Sequence, residues 1–272
     1  MMMNLMSSNM ALIAHRGVSS ELPENTLEAF ALAFERDKAD MIEFDVCFSQ
    51  DLVPVIIHDD TVQRTTNGKG KIKALNLKEL QALDAGFRFQ PLTSQSFPYR
   101  GRGIRIPTFE ELLQKFPEQG LFIEIKEASE KLVHHVMYLV EKYKAQNRMI
   151  MTSKYHIVFK TMLKHYPLIP KAMSHLELRR LYVQHRMKSS AGRMHLPLAA
   201  SMPLKAYGLT FDRQEWINFL KRQNIKTYFW TVNDAETALR LANMGVDGII
   251  TDRPRFIRQA LDRPDGTDSK AV

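Results

Sequence analysis

Three carboxylates are spaced so that they can meet around a cation. Glu43 and Asp45 lie two residues apart in an apolar run, so on a strand both side chains point to one face. Glu124 occupies a similar position in a second apolar run. Converging carboxylates repel one another unless positive charge lies between them, and Mg2+ or Ca2+ prefers such oxygen ligands. Salt bridges to Arg16 and Lys126 are the alternative that needs no metal.

Two histidines follow apolar runs in the same way, His15 after 11–14 and His58 after 53–57. Imidazole titrates near neutral pH, so one ring can donate a proton while the other accepts one. Arg16 and Lys126 suit a phosphate, the guanidinium by a bidentate contact and the ammonium as a point charge. These residue types together predict chemistry at phosphorus. The chain has no Gly-rich dinucleotide or P-loop pattern and no G-x-S-x-G motif.

Short apolar runs alternate with amphipathic segments along most of the chain, which predicts a parallel sheet with helices outside. The candidate strands are 11–14, 41–48, 53–57, 121–125, 149–152, 169–173, 208–211, 226–232 and 248–251. Only residues 49–52 separate the second and third runs, too few for a parallel crossover, so the third run is predicted to return as a hairpin arm. The other eight runs predict an α/β fold, the (β/α)8 or TIM barrel, whose strand ends bring the polar residues to one mouth.

We expect one domain over residues 1–260, with an insertion at about 60–108, a second long loop at 184–207 and a polar tail at 261–272. Asn25, with Glu28 three residues later, predicts a helix cap.

Hydrophobic residues make up 44% and charged residues 25% of the 272, which excludes disordered and fibrous classes. The single cysteine, Cys47, is expected to be buried in a strand. No run approaches the roughly 20 apolar residues of a membrane span, and we predict an unprocessed cytoplasmic protein.

Basic residues outnumber acidic residues by 38 to 30, a net charge of +8. No acidic residue occurs between Glu177 and Asp212, which favours anionic partners such as a phosphate substrate, anionic lipid or nucleic acid. Segment 183–206 is basic with interleaved apolar residues, which predicts peripheral contact with an anionic membrane. Nucleic acid is not expected, because no interleaving of aromatic and basic residues for single strands stands out.

Several ordered motifs identify a family resemblance. They are His15-Arg16-Gly17, Pro23-Glu24-Asn25-Thr26, Glu43-Phe44-Asp45-Val46, His58-Asp59, Arg64-Thr65-Thr66, Glu124-Ile125-Lys126, Trp230-Thr231-Val232-Asn233 and Gly248-Ile249-Ile250-Thr251-Asp252-Arg253-Pro254. In this order they resemble the glycerophosphodiester phosphodiesterases, and the resemblance spans about residues 11–254.

The resemblance implies a TIM barrel that cleaves a small-molecule glycerophosphodiester to sn-glycerol 3-phosphate and an alcohol. By position it implies a divalent cation held by Glu43, Asp45 and Glu124, with His15 and His58 as acid and base. It implies phosphate contacts from Arg16 and Lys126, a glycerol contact from Trp230, and a site contribution from Glu24.

Two other functions stay open. One is a lysophospholipase D-type activity on membrane lysophospholipids, because residues 153–207 match the family loosely and leave the leaving-group pocket undefined. The other is a non-catalytic barrel that binds phosphate or nucleic acid through its positive charge.

Overall fold

Eleven strands occur in the residues that the computed structural model describes, which are 10–91, 95–187, 198–206 and 208–262. In chain order they are β1 (Ala11–His15), β2 (Met41–Phe48), β3 (Pro54–Ile56), β4 (Gly120–Ile125), β5 (Met149–Thr152), β6 (Lys171–Ala172), β7 (Leu198–Pro203), β8 (Lys205–Ala206), β9 (Leu209–Thr210), β10 (Lys226–Trp230) and β11 (Gly248–Thr251). The sheet order β1-β11-β10-β7-β6-β5-β4-β2 closes on itself because β2 also pairs with β1 in parallel. The predicted (β/α)8 barrel is therefore confirmed.

Helices connect the barrel strands along the outside. They are α1 (Leu27–Glu35), α2 (Leu77–Gln81), α3 (Phe109–Lys115), α4 (Glu130–Lys142), α5 (His156–His165), α6 (His175–Arg186), α7 (Gln214–Arg222), α8 (Ala235–Asn243) and α9 (Pro254–Leu261). None of these helices combines the length and the apolar character that crossing a bilayer requires, as far as the chain is described.

β3 lies outside the ring and pairs with β2 in antiparallel register, Val46 opposite Ile56. This is the predicted hairpin arm. The arm carries the insertion, whose apolar side chains form a small cluster with Cys47, Val55 and Ile57. Cys47 is buried there, as expected for a small side chain in a strand.

The sixth barrel strand differs from the prediction. We expected a loop at 184–207 and a barrel strand at 208–211, but β7 supplies the strand and β9 forms a separate hairpin with β8. The run 198–203 is rich in alanine and ends at a proline, so it lacks the β-branched and aromatic residues typical of strands. Inside a closed barrel small side chains are useful, and Ala199 packs in the interior layer beside Ile13 and Tyr228.

Apolar side chains fill the barrel interior and the space between strands and helices. The interior layer contains Ile13, Met41, Phe122, Ile150, Ala172, Ala199, Tyr228 and Ile250. The alternate residues of the same strands face the helices, where one cluster covers β2, β4 and β5 and a second covers β7, β10 and β11. This packing leaves the carboxyl ends of the strands as the face on which polar side chains collect.

Several predicted features lie wholly or partly outside the described residues. They are the unprocessed N-terminal segment up to residue 9, residues 92–94 of the insertion, residues 188–197 of the basic segment 183–206, residue 207 of the second long loop, and the polar tail from residue 263 onward.

Candidate active site

Glu43, Asp45 and Glu124 converge at the mouth of the barrel. β2 and β4 are parallel neighbours with Asp45 opposite Glu124. One carboxylate oxygen from each residue lies within 4.8 Å of the others. Phe44 and Val46 face the outer cluster, so the strand alternation turns Glu43 and Asp45 toward the barrel axis. Both of these carboxylates are buried.

The cluster holds more negative charge than its basic neighbours balance. Burial raises the pKa of Glu43, and the adjacent Asp45 raises it further. Lys126 Nζ lies 3.2 Å from Glu124 Oε1 and 3.4 Å from Asp45 Oδ1, and Arg16 Nε lies 3.3 Å from Asp45 Oδ2. Asp45 Oδ1 is nevertheless buried without a hydrogen bond. These salt bridges therefore coexist with an oxygen donor set that fits a divalent cation.

His15 is held by the next strand of the ring. Its Nδ1 lies 2.6 Å from Asp252 Oδ1, and its Nε2 lies 3.9 Å from Glu43 Oε2. Ser19 Oγ and Asn233 Nδ2 also donate to the Asp252 carboxylate, at 2.8 and 2.6 Å. Burial would lower the pKa of His15, but the hydrogen bond with Asp252 and the negative charges of Glu43 and Asp252 together outweigh it, and the pKa is raised.

His58 follows β3 and is held by its neighbour in the chain. Its Nδ1 lies 2.7 Å from Asp59 Oδ1. The Ile57 N–H donates to the Asp45 carbonyl at 3.0 Å, while His15 pairs in register with Glu43. The antiparallel arm therefore brings His58 back to the level of the carboxylates that His15 also reaches.

Arg16 lies between two carboxylates, Asp45 of the cluster and Glu24. Its Nη1 donates to Glu24 Oε1 at 2.9 Å, and its backbone N–H donates to the Glu43 carbonyl at 2.8 Å. The backbone at Arg16 is left-handed, with φ 56°. From this turn the guanidinium contacts both Glu24 and Asp45.

Asn25 does not cap α1, so that prediction was wrong. Thr26 is the cap, and its side chain accepts from the Ala29 N–H. The Asn25 side chain instead donates to Asp45 Oδ2 at 2.8 Å. The backbone at Asn25 is left-handed with φ 57°, which turns the amide away from the helix and toward the carboxylate cluster.

Trp230 lies at the end of β10, on the side of the mouth away from β2 and β4. It lines a cavity of about 1050 Å³ between α6 and the strands β7 to β9. The lining is mainly apolar and includes Leu176, Tyr182, Val183, Met187 and Phe211. Arg179, Arg186 and Arg213 also line it, so the cavity combines apolar walls with positive charge.

The structure thus brings His15, Arg16, Glu24, Glu43, Asp45, His58, Glu124 and Lys126 into one contact network, with Trp230 across the mouth. Sequence analysis assigned no role to Asp59, Arg64 or Asp252, which contact this network through side-chain hydrogen bonds. All three were visible in the sequence as members of the family motifs, and Asp59 and Asp252 also follow closely on a strand end.

Comparisons with known proteins point to one family. The profile of the Glycerophosphoryl diester phosphodiesterase family matches residues 15–256. The Bacillus subtilis protein YhdW, provisionally named a glycerophosphodiester phosphodiesterase, is 36% identical over 251 residues, covering 91% of this chain and 96% of the relative. A glycerophosphodiester phosphodiesterase of Caldanaerobacter subterraneus is 33% identical over 256 residues, covering 90% of this chain and 95% of the relative.

A solved structure of a phosphodiesterase from Oleispira antarctica superimposes with a TM-score of 0.74. It is 26% identical and covers 93% of this chain and 97% of its own. That protein was solved in complex with the product sn-glycerol-3-phosphate.

Proposed function

Since the chain belongs to the glycerophosphoryl diester phosphodiesterase family, we propose that it hydrolyses glycerophosphodiesters to sn-glycerol 3-phosphate and an alcohol. The observation that carries the proposal is the pair of aspartate-held histidines, His15 and His58, beside the carboxylate cluster. This arrangement supplies two proton carriers next to concentrated charge, which is what cleavage of a phosphodiester needs.

Each histidine is suited to move one proton. Because an aspartate accepts at Nδ1, the proton that is exchanged is the one at Nε2. In the proposed reaction one imidazole removes the proton of the attacking hydroxyl while the other protonates the leaving alkoxide. The attacking group is water, or it is the free hydroxyl of the glycerol moiety, which would form a cyclic phosphate that water then opens to glycerol 3-phosphate.

Arg16 and Lys126 are proposed to bind the phosphate oxygens. Burial would lower the pKa of Lys126, but Asp45 and Glu124 outweigh it and keep the ammonium charged. The Arg16 guanidinium lies in the same cluster, with its Nε 3.3 Å from Asp45 Oδ2 and its Nη1 2.9 Å from Glu24 Oε1. Glu43, Asp45 and Glu124 would hold Mg2+ or Ca2+, which when bound adds positive charge against the negative charge that develops on the phosphate.

The proposal is tested with glycerophosphocholine as substrate and release of glycerol 3-phosphate as the readout. We expect turnover with Mg2+ or Ca2+ and none with excess chelator. His15→Ala and His58→Ala should each lower turnover by orders of magnitude, because each removes a group that acts in the transition state. His165→Ala, an exposed histidine at the end of α5, is the matched control. No release by the unmodified protein with any divalent cation would refute the proposal.

The apolar cavity beside Trp230 favours a second candidate substrate, a lysophospholipid whose acyl chain occupies that cavity. A deacylated headgroup substrate has no apolar portion to bury there. We expect Val183→Asn to lower turnover of lysophosphatidylcholine and to leave turnover of glycerophosphocholine unchanged. Tyr138→Asn, on α4 and 65% exposed, is the control. Equal effects of Val183→Asn on both substrates would exclude this role of the cavity.

Helix α6 is the described element best placed to make the proposed membrane contact. Leu176, Val183 and Met187 are 40%, 47% and 74% exposed and share one helical face, since they are spaced by seven and four residues. We propose that this face, with Arg179 and Arg186, rests on anionic lipid where the same residues border the cavity beside Trp230. Vesicle cosedimentation should show stronger binding to anionic than to neutral bilayers, and equal weak binding to both would remove the idea. Cytoplasmic location stays a prediction.

A further inference from the structure

Arg64 lies outside the barrel in the segment that follows β3, and 46% of its side chain is exposed. It nevertheless donates to two carboxylates at once. Nη1 and Nη2 each lie 2.7 Å from a Glu24 oxygen, and Nε and Nη2 lie 2.7 and 3.0 Å from the Asp59 oxygens. A planar guanidinium can hold two carboxylates in fixed orientations in this way, whereas an ammonium cannot.

Each of these carboxylates contacts a different part of the candidate active site. Asp59 accepts from His58 at 2.7 Å, and Glu24 accepts from Arg16 at 2.9 Å. Arg64 therefore contacts both the carboxylate that holds His58, a proposed proton carrier, and the carboxylate that holds Arg16, a proposed phosphate-binding group. The hydrogen bond from Arg64 is also the main reason that the pKa of Asp59 is lowered to about 2, so this carboxylate stays ionised.

We propose that Arg64 is a positioning residue that orients His58 through Asp59 and Arg16 through Glu24. This inference rests on the proposed function for the roles of His58 and Arg16. Arg64 itself is not expected to touch the substrate. Its removal should leave both side chains present but free to leave the orientation in which they act.

The chain contains a matched control for this arrangement. Arg36 makes the same four-bond contact, with Nη1 and Nη2 on Glu21 at 2.7 and 2.9 Å and Nε and Nη2 on Asp37 at 2.5 and 3.0 Å. Its side chain is 31% exposed. Glu21 and Asp37 are not candidate site residues, so Arg36→Gln removes an equivalent ion-pair group without the proposed link to catalysis.

Steady-state kinetics on glycerophosphocholine test the proposal. We expect Arg64→Gln to lower kcat/KM by about 10- to 100-fold, the usual effect of removing a partner that orients a functional group. Asp59→Asn should lower mainly kcat, because Asp59 orients the proton carrier His58. Glu24→Gln should raise mainly KM, because Glu24 orients the phosphate-binding Arg16. Arg64→Lys should recover only part of the activity.

Arg36→Gln should lower the unfolding temperature at least as much as Arg64→Gln, because it leaves the buried Asp37 carboxylate without its partner, but it should leave kcat/KM unchanged. A kcat/KM for Arg64→Gln equal to that of Arg36→Gln, with both proteins folded, would overturn the proposal. If Arg64→Gln does not fold, Arg64→Lys is compared with Arg36→Lys by the same criterion.

The imidazole nitrogens of His58 give a second readout that does not depend on turnover. In the unmodified protein, 15N NMR should show neutral His58 with its proton on Nδ1, because Asp59 accepts there. Arg64→Gln and Asp59→Asn should both weaken this tautomer preference, and Arg36→Gln should not. Unchanged His58 signals in Arg64→Gln would overturn the inference even if the enzyme proved to act on another substrate.

Discussion

Asp252 is the residue on which the orientation of His15 depends. Burial alone would raise the pKa of this carboxyl group, but hydrogen bonds from His15, Asn233 and Ser19 outweigh it and lower the pKa to about 2. The ionised carboxylate therefore stabilises the folded protein as well as the imidazole.

We expect Asp252→Asn to cost stability in a pH-dependent way. A carboxyl group whose pKa is lowered by folding contributes stability above its unfolded pKa, and that contribution is lost as the pH falls through the folded pKa. From the shift of 3.8 to about 2, the contribution is at most about 2 kcal/mol at pH 7 and roughly half of that at pH 3. Urea unfolding of both proteins at the two pH values measures it. A destabilisation of equal size at pH 7 and pH 3 would contradict this account.

The two histidine partners were not equally visible in the sequence. Asp59 is adjacent to His58, so a contact between them can be proposed from the sequence alone. Asp252 is 237 residues from His15 and approaches it only because ring closure places β11 beside β1. Ion-pair partners such as Arg64 and Glu24, 40 residues apart, depend on the fold of an irregular segment that has no periodicity to predict it.

The turn between β1 and α1 positions two functional side chains through its backbone. Gly17 has φ 86°, and a Cβ placed there would lie 2.7 Å from the Ala29 Cβ and 2.8 Å from the Ala29 carbonyl carbon. The turn therefore packs directly on α1 with no room for a side chain. His15 and Arg16 precede it, so their placement depends on this contact.

Gly17→Ala is expected to lower both stability and activity. Gly101 is a matched control, because it has φ 70° and open space around its Cα. Gly101→Ala should cost only the strain of a left-handed backbone, about 1 to 2 kcal/mol, while Gly17→Ala adds a steric clash with α1. Thermal unfolding and turnover of the two variants measure the difference. Equal unfolding temperatures for both variants would show that α1 can shift to accommodate the added methyl group without loss of stability.

Element positions were predictable where the hydrophobic period is regular. Met41–Phe48 and Met149–Thr152 were predicted with the observed bounds, because every residue of the first run and all but the last residue of the second are buried. β7 was missed, since its alanines resemble a loop until the barrel interior is known to need small side chains. The cap of α1 was misplaced by one residue, because Asn25 is drawn to Asp45 and leaves Thr26 at the helix start.

Closure of the barrel concentrates charge at its mouth, and this affects the stability of the whole protein. Burial, followed by repulsion from Asp45, raises the pKa of Glu43. A raised carboxyl pKa means that the folded state binds protons more tightly than the unfolded state, so stability falls as the pH rises above the ordinary value of 4.5. At neutral pH the metal-free protein is therefore less stable than it would be without the buried Glu43 carboxylate.

Glu43→Gln should therefore raise the unfolding temperature in excess chelator at pH 7, although it removes a proposed metal ligand. Mg2+ or Ca2+ should raise the unfolding temperature of the unmodified protein, because a ligand that binds only the folded state stabilises it. The same addition should have little effect on Glu43→Gln. Differential scanning fluorimetry measures all four conditions, and a lower unfolding temperature for Glu43→Gln in chelator would contradict the expected repulsion.

The two imidazoles are attached to supports of different stiffness. His15 ends a strand that is hydrogen-bonded on both edges, to β11 and to β2. His58 follows a three-residue strand outside the ring, which pairs with β2 and meets Thr108 at an isolated bridge. For an alcohol of another size, we therefore expect the gap between the rings to change by movement on the His58 side, while the closed barrel holds His15 in place.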